Sequence, residues 1–273
     1  MKKVESLLWK VFNVLVFIIG IKIIGDLLGL ELEETNMWFR LFLYGVPGII
    51  LVLHSILTLS PKKALLFVLL ASGTGTIMEY IGLRDGTFFG GHYVYKAQAT
   101  LFTVPIEVIL YWSVFIYTGY SIVNSFFYWL KKKRPNVKTG NIPLLLFTIF
   151  LDGLIVVALD LFLDPIAVWS GNWKWLEGGS YFGVPIGNFV GWFIVFIIAS
   201  GIFRTSEYFF PRKEIKHNKS LYFLPVLGYG LLAITFAFKA VRFHMYDFAR
   251  LGLCLMIPIV IFNLFLFFKY KGE

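Results

Sequence analysis

Glu79, Glu107, Asp160 and Asp164 are carboxylates placed in or beside long apolar stretches of the chain. An ionised carboxylate at the centre of a bilayer costs roughly 2.5–3.5 kcal/mol even on the lenient insertion scale, so such a side chain faces a partner or a cavity. Tyr93, Tyr95, Trp112, Trp169, Trp173, Trp175, Tyr181 and Trp192 stand near them in sequence, with Asn188 as a further polar group. Ring faces stabilise a cation, a neutral carboxylic acid supplies a proton, and a second carboxylate takes one from water. That combination suits an apolar substrate passing through a carbocation. A structural role competes for each acid, by pairing with Arg84, Lys96 or Lys174 or by capping a loop amide. Asp152, deeper in the run that holds Asp160, reads equally as a proton-relay group or a buried hydrogen-bonding acid.

Composition fixes what must position these residues. Hydrophobic residues fill 58% of 273 positions, with 30 Phe and 8 Trp against 15% charged residues, too little polar surface to cover a fold in water. The chain is read as an integral membrane protein. Apolar runs of about 18–22 residues, enough to cross roughly 30 Å of hydrocarbon, predict spans near Leu7 to Gly25, Phe39 to Leu59, Ala64 to Leu83, Leu101 to Val123, Ile142 to Leu163, Val184 to Phe203, Leu221 to Phe238 and Leu251 to Phe268. The expectation is one all-α membrane domain over residues 1–273, a polytopic bundle of about eight helices. The first run follows Lys2 and Lys3 as a signal peptide would, but its length and the lack of a small-residue cleavage pattern favour a retained helix.

The chemistry-bearing stretches repeat. Gly91-x-Tyr93-x-Tyr95 returns as Gly171-x-Trp173-x-Trp175, and Pro105-Ile106 with Trp112 returns as Pro185-Ile186 with Trp192, at an offset of 80 (171 minus 91, 185 minus 105). A loop motif, a helix start and a helix interior in one register point to internal duplication, with units of about 64–123 and 142–203. Glu79 and Asp160 answer each other after a one-residue slip. Each unit runs from a helix through a Gly- and aromatic-rich loop (Arg84 to Thr100; Asp164 to Gly183) into a Pro-Ile-led helix, so the copies are parallel repeats. Their loops should meet on one face, over a cleft floored by the acids and walled by the aromatics.

The net charge of +9 resembles a nucleic-acid signal until the charges are placed. Most basic residues, among them Lys2, Lys3, Lys10, Lys62, Lys63, the run Lys131 to Arg134, Arg204, Arg212, Lys213 and Lys216, fall on one side of the predicted spans, which the positive-inside rule makes cytoplasmic together with both termini. The expected location is the cell membrane, and the expected partners are lipid and an apolar substrate, not nucleic acid. Asp26, Glu31, Glu33 and Glu34 read as a solvated loop, and His244 and Asp247 as a solvated outer loop with Arg242 and Arg250. Cys254 has no partner for a disulfide. His54, His92, His217 and His244 lack metal-ligand spacing, and no second acidic cluster joins Asp160 and Asp164 to bind magnesium, so neither metal nor cofactor is expected. Gly73-x-Gly75 reads as close helix packing, not a phosphate loop.

Glu79-x-x-Gly82, Gly91-x-Tyr93-x-Tyr95, Pro105-Ile106 and Trp112, followed by Leu159-Asp160-x-x-x-Asp164-Pro165, Gly171-x-Trp173-x-Trp175, Gly179-x-Tyr181-x-Gly183-Val184-Pro185, Asn188 and Gly191-Trp192, resemble the membrane carotenoid biosynthesis family that contains the CruF-type carotenoid hydratases. The resemblance runs from about Gly73 to Trp192. It implies addition of water to the terminal carbon–carbon double bond of an acyclic carotenoid, giving a tertiary alcohol without a cofactor. In that reading Asp160 or Glu79 is the acid, the other manages the water, and Asp164, Glu107 and Asn188 support them. A membrane isoprenoid cyclase would also use an acid and an aromatic cage but would exclude water. A transporter for a lipid or small amphiphile would account for the repeats, but its polar groups should form a path across the membrane.

Overall fold

The computed structural model of the chain describes residues 2–30, 37–96, 99–133, 141–211 and 218–270. Glu31, Glu33, Glu34, Arg134, Arg212, Lys213, Lys216 and His217 lie outside these residues. Eight described helices are long and apolar enough to cross a membrane. They are α1 (Lys2–Leu27), α2 (Met37–Leu59), α3 (Pro61–Asp85), α4 (Ile106–Lys133), α5 (Ile142–Trp169), α6 (Ile186–Phe209), α7 (Leu224–Arg242) and α8 (Tyr246–Tyr270). Hydrocarbon offers backbone groups no partners, so apolar segments of this length satisfy themselves as helices. The protein is a polytopic helical bundle. Short strands interrupt it: β1 (Tyr93–Tyr95), β2 (Thr100–Leu101), β3 (Val104–Pro105) and β4 (Trp173–Trp175).

Local chemistry sets the helix ends. Proline occupies the first turn of α3, α5 and α7, where a backbone N–H has no helical partner to lose. Asn141 caps α5 by accepting from Leu144 N at 2.8 Å, and Gly86, at φ 68°, ends α3 with its N–H on Gly82 O. Two of the spans that differ from expectation bear on the site. The fourth span starts at Ile106, which puts Glu107 in its first turn, and it continues to Lys133. The fifth does not break at Asp164 but runs through Pro165 to Trp169. Pro165 has no N–H for the carbonyl of Leu161 one turn back; Tyr181 Oη supplies the missing donor at 3.1 Å, and the helix goes on.

Helices α1 and α2, α3 and α4, α5 and α6, and α7 and α8 pack as neighbouring pairs, with α4 also against α5 and α8. The strands and the helix termini that flank them form one end of the bundle, here termed the loop end. Aromatic contacts fill the interior, including Phe67 with Phe203 at 4.8 Å and Phe162 with Phe248 at 5.3 Å between ring centroids. Leu65, Leu69, Phe262 and Phe265 are exposed on the outer surface, as lipid-facing residues are.

Two buried ion clusters join the helices. Asp152 accepts from Arg204 Nε at 2.5 Å and Nη2 at 2.7 Å, and from Ser200 Oγ. Arg204 also reaches Asn124 Oδ1 at 3.0 Å and stacks over the Tyr120 ring at 4.5 Å. Asp152 is therefore a hydrogen-bonded structural acid, and Arg204 is a buried residue, not part of a solvated basic edge. At the loop end, α1 extends far enough to bury Asp26, with Lys22 Nζ at 2.9 Å, Arg242 Nη1 at 3.0 Å and Lys239 Nζ at 3.8 Å. The expected solvated loop is thus a tie between α1 and α7 at this residue. Arg242 is taken from the expected outer set, and Asp247 and Arg250 pair exposed in the first turn of α8.

Removing one partner of a buried ion pair leaves the other charge uncompensated. Arg204→Ala should cost about 3–5 kcal/mol, while Asp152→Leu with Arg204→Met should recover most of that loss. Reversible unfolding in mixed micelles measures both; a double variant no better than Arg204→Ala would assign the cost to packing instead.

Candidate active site

Two loops meet over the acids. β1 follows α3, β4 follows α5, and they pair antiparallel with Tyr93 opposite Trp175 and Tyr95 opposite Trp173. Side chains alternate along a strand, so these four rings share one face while Val94 and Lys174 are exposed on the other. Backbone bonds from Lys96 N to Asn172 O at 2.8 Å and from Leu176 N to His92 O at 2.7 Å continue the pairing. The His92 amide donates to Glu177 Oε2 at 3.1 Å; the Glu177 carboxyl is held below its usual range, first by its own backbone N–H and then by His92. Gly90, at φ 78°, lies against the start of α6. A Cβ on Gly187 would come within 2.7 Å of Gly90 Cα, so the crossing tolerates no side chain.

The strand pair presents its rings to Glu79, which is buried near the loop end of α3. Tyr93 Oη donates to Oε2 at 2.6 Å, and Tyr95 Oη lies 3.2 Å from each carboxyl oxygen. Burial and the adjacent Glu79 push both phenols up, which keeps them protonated as donors. The Trp112 indole approaches the same carboxyl, yet its Nε1 closes no normal hydrogen bond. Trp112 fits there because Gly75, one turn before Glu79, has no side chain; a Cβ would collide with the indole ring. Gly73 meets nothing, so close packing explains one of the two glycines. Trp112 and Trp192 rings lie 4.5 Å apart.

Asp160 and Asp164 are one turn apart on α5, both buried and both accepting from the same amide. Asn188, in the first turn of α6, donates Nδ2 to Asp160 Oδ2 at 3.1 Å and to Asp164 Oδ2 at 2.5 Å. Asp160 Oδ1 is buried without a hydrogen-bond partner. Glu79 lies within electrostatic reach of both aspartates. Three carboxyl groups from two helices therefore converge, supported by neutral donors.

A cavity of about 550 Å³ opens beside them, within the size range of ligand sites. Its wall includes Glu79, Asp164, Glu107, Asn188, Tyr93, Tyr95, Trp112, Trp169, Trp173, Trp175 and Trp192. Asp160 is fully buried and does not line the cavity; Asn188 links it to Asp164, which does. Tyr181 is not brought to the wall: its hydroxyl is committed to Leu161 O, and its ring packs on Phe189 at 5.2 Å. Sequence reasoning missed the contribution of α1, α2 and α7, whose Lys22, Asp26, His54, Lys239 and Arg242 face the same cavity. Only the acid and base inside otherwise apolar α1, Lys22 and Asp26, gave a signal for them.

The profile of the carotenoid biosynthesis protein family matches residues 40–260. The chain belongs to the carotenoid biosynthesis protein family. All the acids and rings of the site fall within the matched region, whereas α1 lines the cavity from outside it. Family membership assigns the protein a part in carotenoid biosynthesis and agrees with a cavity walled by aromatic and aliphatic side chains. No curated protein and no solved structure matches the chain.

The placement of Tyr181 separates support from binding. Tyr181→Phe should lower stability by about 1–3 kcal/mol through the unsatisfied Leu161 carbonyl, read by reversible unfolding, and leave pigment binding unchanged. Weaker pigment binding at unchanged stability would return Tyr181 to the substrate.

Proposed function

We propose that the protein hydrates the terminal carbon–carbon double bond of an acyclic carotenoid or related isoprenoid. The observation that carries this reading is that Glu79 and Asp164 share the wall of an apolar, aromatic-lined cavity, with Asp160 joined to Asp164 through Asn188. Two buried carboxyl groups that share one amide donor are most stable when one of them holds a proton, which makes the Asp160–Asp164 pair the proton source, with Asp164 on the cavity wall. Proton transfer to the less substituted alkene carbon leaves a tertiary cation, and the faces of Trp112 and Trp192 suit that charge. A water oxygen then bonds to the cation. Glu79, already accepting from two tyrosines, takes the proton that this water loses. The net change is addition of one water, and the proton on Glu79 must return to the aspartate pair before the next turnover. Glu107 stands at the cavity wall as a further polar group, and no cofactor enters the scheme.

We also read β1 and β4 as equivalent segments of a duplicated unit. Pairing between the two Gly-x-aromatic-x-aromatic motifs and contact between Trp112 and Trp192 support it, since copies related by a twofold axis touch themselves at that axis. With eight spans, we place both termini in the cytoplasm of a cell membrane, on the side marked by the basic residues.

Expression in a lycopene-accumulating host, with mass analysis of the pigments, tests the reaction. Wild type should yield a product heavier by one water, and Asp164→Asn, Asp160→Asn and Glu79→Gln should each reduce it at least about 100-fold, the contribution of a positioned acid or base. An isomer of unchanged mass would establish cyclisation instead. Unaltered pigment beside well-inserted protein would remove hydration of that substrate.

A further inference from the structure

We infer that the unreacting length of the substrate lies in a channel between α1, α2, α4 and α7, and that Gly228 keeps this channel open. The inference rests on the reading of the substrate as a linear isoprenoid. The cavity does not stop at the acids. Its wall runs along α1 from Asp26 back to Phe12, along α7 from Phe243 back to Leu224, and along α4 from Glu107 to Thr118. At about 1.5 Å per residue these stretches measure roughly 21, 28 and 17 Å. A volume of about 550 Å³ drawn out over such a length is narrow, the shape of a groove for one chain and not of a chamber for a compact molecule.

The two ends differ in chemistry. At the loop end Trp169 packs on Phe243 at 6.2 Å, so this end of α7 lies level with the acid-bearing end of α5. Away from it the wall is aliphatic and aromatic, with Leu15, Leu51, Phe115, Leu231 and Leu232. His54 also faces this stretch, but its ring nitrogens meet Tyr117 Oη and Leu221 O at 2.7 Å each. With both nitrogens engaged, the imidazole offers the channel its ring and not a hydrogen bond.

Gly228 is on the wall roughly 22 Å along α7 from Phe243, at about 1.5 Å per residue. Gly75, Gly187 and Gly252 have contact reasons to be glycine, because a Cβ at each would run into a neighbour. A Cβ on Gly228 would meet only Phe12 Cε2, at 4.0 Å. Glycine weakens a helix interior relative to alanine, and here no packing demand offsets that cost. What its missing side chain leaves is free bore. A Cβ at this position forms no close contact, and the longer side chain of a leucine or phenylalanine built on it would project into the path of a long chain, far from the acid end.

The test is ligand retention by purified protein in nanodiscs, with free ligand removed, empty nanodiscs subtracted and bound ligand quantified by mass spectrometry. Lycopene is the long probe. Pseudoionone, which carries the same terminal dimethyl-alkene on a short chain, is the other. Wild type should retain both. Gly228→Leu and Gly228→Phe should lower lycopene retention about tenfold or more, the scale of an overpacked site, while pseudoionone changes less than about twofold. Gly228→Ala should fall between them and wild type, which keeps the series readable if the phenylalanine variant does not fold. Equal lycopene retention across the series, or parallel loss of both probes in a folded variant, overturns the channel. So does a wild-type protein that retains no lycopene. Wild type that retains lycopene without hydrating it overturns the proposed reaction and leaves the channel standing.

Discussion

Everything in this bundle is arranged around the cost of holding a carboxylate away from water. The structure meets that cost in two ways. Asp152 and Asp26 are given cations: the Arg204 fork for one, Lys22, Lys239 and Arg242 for the other. Glu79, Asp160 and Asp164 are instead met by phenols and an amide. The difference is functional in kind. A guanidinium locks a carboxyl in its charged form and holds helices together; neutral donors fix its position while leaving its proton free to move. Position in the membrane alone does not separate the two classes, but the identity of the partner does.

The neutral donors must themselves be held, and this explains the strand pair in a helical protein. Tyr93 and Tyr95 can reach Glu79 together only if their backbone is extended, so that alternate side chains fall on one face. A lone extended segment would leave backbone groups unpaired at the membrane edge. Pairing with β4 satisfies them and brings Trp173 and Trp175 to the same face. The glycines at Gly90 and Gly187 let this cover sit against α6, which in turn sets Asn188 between the aspartates. The acids, the amide and the cover are thus one assembly, and each side chain that carries a functional group has a packed or hydrogen-bonded support behind it.

How much of this the sequence disclosed follows from which physical signals are local. Hydrophobic length and composition are local, and they gave eight helices. Acids in apolar runs are rare enough to stand out, which made Glu79, Asp160 and Asp164 visible as candidates. The fifth span was expected to end at Leu163, yet the helix runs on through Pro165, because whether a proline ends a helix depends on whether the freed carbonyl finds another donor; Tyr181, 16 positions on (181 minus 165), supplies it. That same hydroxyl was expected at the substrate. Asp26 was read as solvated because its three cations come from Lys22 on its own helix and from α7, far along the chain. The cavity was located at its acid end only, since its length is a product of how α1, α2, α4 and α7 lean together, which no stretch of sequence encodes by itself.

The distribution of cations bears on the chemistry. A carbocation formed at the acid end would be destabilised by an ammonium or guanidinium beside it, since like charges in a low dielectric repel strongly. Lys22, Lys96, Lys239 and Arg242 line the cavity, and three of the four, Lys22, Lys239 and Arg242, are gathered on Asp26, where α1 and α7 are tied. The hydrogen-bond donors and rings that meet Glu79 and the aspartate pair among the described residues include two phenols, an indole and an amide, all uncharged. Here the groups that touch the buried carboxyls are oxygens, an amide and ring faces, an environment that favours positive charge developing on carbon, and three of the four lysine and arginine side chains on the cavity wall are paired with Asp26.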